Sequence, residues 1–123
     1  MLAGLTACGV PSSAGEPEIE LTELAARVEG GASWVVVAAR VEGLAEDGGR
    51  CRFTFWAANG AASRLTATGV ADRGGTRCGP VSEEIGRIIP VGSYELGVRY
   101  ESESTSLASD RVPVSVAVDE VAW

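Results

Sequence analysis

Apolar side chains recur at every second position through much of this chain, and clusters of Gly, Ser, Asn and Asp interrupt the alternation before it runs long. That pattern constrains the fold more than any other feature, because side chains of an extended strand alternate between two faces while those of a helix repeat every 3.6 residues. Tyr94, Leu96, Val98 and Tyr100 alternate with Glu95, Gly97, Arg99 and Glu101. Val112, Val114, Val116 and Val118 alternate with Pro113, Ser115, Ala117 and Asp119. In Cys51–Ala57 the residues Cys51, Phe53, Phe55 and Ala57 share one face, leaving Arg52, Thr54 and Trp56 on the other.

Four further strands are expected. Ser33–Val41 is rich in β-branched residues, Ile19–Leu24 and Arg64–Val70 are shorter, and 81–89 is less regular, with Glu83-Glu84-Ile85 able to form a helical turn instead. Gly43–Gly49 carries the Asp-Gly and Gly-Gly signals of a hairpin turn, so the strands on either side of it should pair or face each other. About seven short strands with no long helix predict an all-β chain, a single Greek-key β-sandwich.

The size and composition suit one such domain. Of the 123 residues, 46% are hydrophobic and 22% charged, which places the chain among folded proteins. A domain of about a hundred residues buries roughly two thirds of its unfolded surface and needs no metal to hold a two-layer core. The expected division is 1–7 as the remnant of a signal segment, 8–17 as a Gly/Pro/Ser tether, 18–119 as the sandwich and 120–123 as a tail.

The segment Ile88-Ile89-Pro90-Val91-Gly92-Ser93-Tyr94 resembles the corner before the penultimate strand of immunoglobulin-like and fibronectin type III-like domains. The resemblance spans 18–119 and implies a tyrosine corner, in which the Tyr94 hydroxyl bonds a nearby backbone group. Ser33–Val41 and Tyr94–Glu101 contain no cysteine, so the disulfide pattern of antibody domains is missing. A shared architecture transmits no function.

At the N-terminus, Leu5-Thr6-Ala7-Cys8 resembles the lipobox of bacterial lipoproteins, and Gly9 and a small polar stretch follow it. The resemblance implies cleavage between Ala7 and Cys8 and a diacylglycerol on the Cys8 thiol. Met1–Ala7 has no basic residue and is shorter than the usual apolar region of about 7–15 residues, so the biological start is expected upstream. The longest apolar run, Trp34–Ala39, falls far below the roughly 18–20 residues of a membrane span. The chain is therefore expected outside the cytoplasm, lipid-anchored to the membrane of the cell envelope.

In that oxidising compartment Cys51 and Cys78 are expected to form a disulfide, two buried free thiols being the alternative. Zinc is not expected, because the chain has no His and no Cys-x-x-Cys. Glu46, Asp47, Asp72 and Asp110 fall at turns where calcium ligands occur, but they lack an EF-hand spacing and read as ordinary turn carboxylates.

Charge and motif content narrow the function. The basic residues are all Arg, which together with abundant Ala, Gly and Val reads as a compositional bias of the genome and not as an arginine-specific function. A formal charge of −7 argues against a nucleic-acid partner. Without His, a Gly-x-Ser-x-Gly elbow or a phosphate loop, no catalytic residues and no cofactor are assigned. Trp56, on the outward face of its strand, is open between packing and ligand contact; Trp34, better suited to packing, is the second ring that could lie beside it. The expected role is a noncatalytic module that meets another envelope protein. The alternatives are a carbohydrate-binding module using Trp56 and a purely structural accessory domain.

Overall fold

The computed structural model describes residues 16–123 apart from Ile88. Cys8, the signal remnant 1–7 and all of the expected tether except Glu16 and Pro17 lie outside them.

Nine strands occur among the described residues: β1 (Glu18–Glu29), β2 (Ala32–Glu42), β3 (Arg50–Ala57), β4 (Ala62–Asp72), β5 (Gly75–Glu84), β6 (Gly92–Glu101), β7 (Ser106–Ala108), β8 (Val112–Val116) and β9 (Val121–Ala122). The chain is all-β. Every strand pairing is antiparallel, in the order β9-β8-β6-β3-β4-β5-β2-β1, with β7 added to β6. β9 comes back against β1, so the sheet nearly closes into a barrel.

β4 makes the bend on which this closure depends. Its residues Ala62–Thr68 pair with β3, whereas Gly69–Asp72 pair with β5. One strand thus serves both halves of the sheet. The run β3-β4-β5 is joined by tight turns, and β2 returns beside β5, which is a Greek-key connection.

That topology rules out pairing across 43–49 and leaves the flanking strands facing each other across the core. β2 pairs with β1 and β5, and β3 with β4 and β6, so the two strands are not neighbours. Tight two-residue turns lie elsewhere. Gly30 and Gly31 both have positive φ, the conformation that a twist-matched hairpin requires, and they join β1 to β2. Arg73 and Gly74 do the same between β4 and β5. Gly75–Cys78 therefore already lies in β5.

Other boundaries moved for similar reasons. β5 stops at Glu84, and Ile85 bridges Ile89 with no helical turn formed. β8 stops at Val116 because the Ala117 N–H bonds the Glu120 carbonyl, reversing the chain. Val121 then pairs with Val116, so part of the expected tail belongs to the sheet.

The core lies between the two halves of the sheet. Phe53, Phe55, Leu96, Val98 and Tyr100 come from one half, and Val35, Val37, Ala39 and Val41 from the other. Cys51 and Cys78 are fully buried between them and bridged, with their Cα atoms 5.8 Å apart. The disulfide joins β3 to β5, strands that do not pair with each other.

Candidate functional site

With Cys51, Phe53 and Phe55 facing the core, Arg52, Thr54 and Trp56 must face outward. Strand register then decides which neighbours they meet. Arg52 lies between Thr66 of β4 and Arg99 of β6, Thr54 between Arg64 and Gly97, and Trp56 between Ala62 and Glu95. The middle row is the low one, since Thr54 is small and Gly97 has no side chain. A groove of about 330 Å³ opens over it, bounded by Arg52 and Arg99 on one side and by Trp56 and Arg111 on the other, with Arg64 at one end.

Gly97 is required there by space. A Cβ on it would lie 2.9 Å from Trp56 Cζ3, closer than real contacts allow, so the glycine lets the indole lie low across β6. The chain between β7 and β8 supplies the last wall. The Ser109 N–H bonds the Val98 carbonyl and the Ser109 hydroxyl accepts the Val98 N–H at 2.9 Å, which brings Arg111 up to the outer face. Its guanidinium stacks 3.6 Å from the centroid of the Trp56 ring and pairs with Glu95 at 3.4 Å.

The electrostatics of the groove differ from those of the whole chain. Four of the ten arginines line it, in a protein of net charge −7. Arg52 and Arg99 stand directly opposite each other, a like-charge pairing that costs stability in a sheet. Glu101 is shared between them, 3.9 Å from Arg52 and 3.1 Å from Arg99. The Arg64 side chain has no ion pair or hydrogen bond among the described residues. Thr54 is only 5% exposed, yet its hydroxyl has no partner among the described residues, and it lines the groove.

Trp34 is elsewhere. It lies on β2 between Arg27 and Glu84, donates its indole N–H to the Glu29 carbonyl at 3.4 Å, and does not line the groove. The two tryptophans therefore form no joint platform. The turn carboxylates have structural work: Asp47 accepts the Ala71 N–H, Asp72 faces Arg40 and Arg77, and Glu46 accepts the Tyr100 hydroxyl at 2.5 Å.

Tyr94, 8% exposed, donates its hydroxyl to the Pro90 carbonyl and packs edge-on against Phe55 at 6.0 Å. This bond joins the start of β6 to the segment before it. Tyr94→Phe is expected to lower unfolding free energy by about 1 kcal/mol, the net worth of one such bond, in urea denaturation. An unchanged midpoint would show that the bond adds nothing.

Sequence reasoning found Trp56 and the outward side of β3, but it missed the arginines. The only available signal was the alternation itself, which sets Arg52 and Arg99 on outward faces without saying that the strands adjoin. Compared with known proteins, the chain matches no family model, no curated protein and no solved structure.

Proposed function

We propose that this chain is a noncatalytic binding module of the cell envelope, held to the membrane by a lipid on Cys8, and that it engages another protein through the groove over Thr54 and Gly97. The observation that carries the reading is the groove's make-up: arginines and one half-buried Trp converge on a floor whose hydroxyl lacks a partner among the described residues. Concave sites with a few converging polar groups are where ligands bind. In this reading the nearly closed sheet is an immunoglobulin-like sandwich, with β4 passing between layers, the buried disulfide tying them and Tyr94 acting as the corner residue.

The carbohydrate alternative has less support. Sugar platforms use open aromatic faces, and here Arg111 covers one face of Trp56 while no second aromatic ring lines the groove. A purely structural role leaves the opposed Arg52 and Arg99 without a purpose.

A photocrosslinking residue at Ala108, which lines the groove, should yield a discrete adduct in native envelopes, and one at Thr22 on exposed β1 should not. Equal labelling from both positions, or from neither, would remove the groove from the function. Mass spectrometry of the membrane-bound protein should find acylated Cys8 as the first residue. An intact Met1 terminus in the membrane-free fraction would remove the anchor.

A further inference from the structure

Four guanidinium groups around one groove supply hydrogen-bond donors and positive charge. Sugar hydroxyls ask for donors and acceptors together, whereas carboxylates accept only, and guanidinium forks match them two bonds at a time. Arg52 and Arg99 share a single carboxylate, Glu101, Arg111 pairs with Glu95, and Arg64 has no ion pair among the described residues, which leaves four guanidinium groups against two carboxylates. Positive charge therefore exceeds local negative charge. Taking the groove as the binding site proposed above, we infer that its ligand is an acidic segment of a partner polypeptide, bound in extended form across β4, β3 and β6.

The spacing suits such a segment. Carboxylates on one face of an extended peptide repeat about every 6.5 Å. Arg52 and Arg99 are directly opposite, which places their Cβ atoms about 5 Å apart, and Arg64 is one row away, opposite Thr54. One carboxylate can span the Arg52–Arg99 pair in competition with Glu101 while the next reaches Arg64. The Thr54 hydroxyl, without a partner among the described residues, lies beneath as a donor, and Trp56 with the stem of Arg111 gives an apolar rim. The chain as a whole carries a net charge of −7 and repels an acidic segment outside the groove, so only correct placement in it is attractive.

The test is fluorescence anisotropy of labelled hexaglutamate with the full chain, using oligogalacturonate and inorganic phosphate as competitors. Hexaglutamate should bind saturably, and raising NaCl from about 0.05 M to about 0.3 M should weaken it about tenfold. Arg64→Gln should weaken it at least about fivefold without unfolding the chain, since that side chain is exposed and makes no ion pair or hydrogen bond among the described residues. Arg27→Gln, on β1 away from the groove, should change nothing. No saturable binding, or equal loss in both variants, overturns the inference. So does tighter binding of oligogalacturonate, which would make this a glycan site, or full displacement by equimolar phosphate, which would make it a simple anion site. If Ala108 still crosslinks natively while hexaglutamate fails, only the acidic ligand is lost and the groove remains the site.

Discussion

Replacing Cys51 and Cys78 together by alanine is expected to lower the unfolding free energy by about 3.5 kcal/mol and the melting temperature by roughly 10–15 °C. The bridge closes a loop between residues 27 apart, and opening it returns that loop's freedom to the unfolded chain. A second consequence is specific to this topology. β3 and β5 do not pair, so the bridge links segments that the hydrogen-bond ladder joins only through β4, at the point where β4 changes partners. Urea titration of the double variant and of the dithiothreitol-reduced wild type should give the same lowered midpoint. A double variant with the wild-type midpoint would show that the ladder through β4 suffices.

Gly49→Ala is expected to cost about 2–3 kcal/mol, the range for forcing an extra carbon into a packed core. Its new methyl would overlap the Tyr100 ring, which is fully buried. Moving that ring also breaks its bond to Glu46 and shifts Gly49, whose carbonyl accepts the Gly69 N–H at 2.7 Å. The comparison is Tyr100→Phe, which keeps the ring and removes the hydroxyl, at about 1.5 kcal/mol. Thermal melts of both variants decide it: a Gly49→Ala variant as stable as the wild type would mean that the ring yields without cost.

The same tyrosine predicts a pH dependence. Burial, and after it the bond to Glu46, raise the Tyr100 hydroxyl to about 12. The native chain thus holds this proton more tightly than the unfolded chain, where the value is about 10. Its contribution is complete below pH about 10 and is lost as pH rises toward about 12. Glu46 behaves in the opposite sense. Hydrogen bonds from Ser102 and Tyr100 hold its carboxyl below the ordinary range, so its contribution is present above that range and fades on acidification. Tyr100→Phe should flatten the alkaline limb of the stability profile, and an unchanged limb would assign it to other groups.

Much of this fold could be read locally. Alternation located β3, β6 and β8, since a face of Val, Leu, Tyr and Phe is a property of consecutive residues; β-branched content marked β2, shorter segments marked β1 and β4, and β5 was placed too late, overlapping its expected range only at 81–84. β7 and β9 escaped because three and two residues are too few to show a period. Of the two arrangements expected around 43–49, pairing is the one that does not form, for an instructive reason. Gly48-Gly49 looks like turn chemistry, yet Gly49 is needed for contact with a ring 51 positions later, and sequence neighbours carry no trace of that.

The site shows the same division. The sequence by itself determined that the chain is all-β, that Phe53 and Phe55 face opposite to Arg52, Thr54 and Trp56, and which two cysteines remain for a bridge within the domain. Period and composition suffice for those. Only the tertiary structure decided that Arg64, Arg99 and Arg111 join Arg52 around Trp56, because that depends on β3 lying between β4 and β6. Register across non-consecutive strands turned arginines that looked like compositional bias into one basic groove, through long-range pairings that no local pattern encodes.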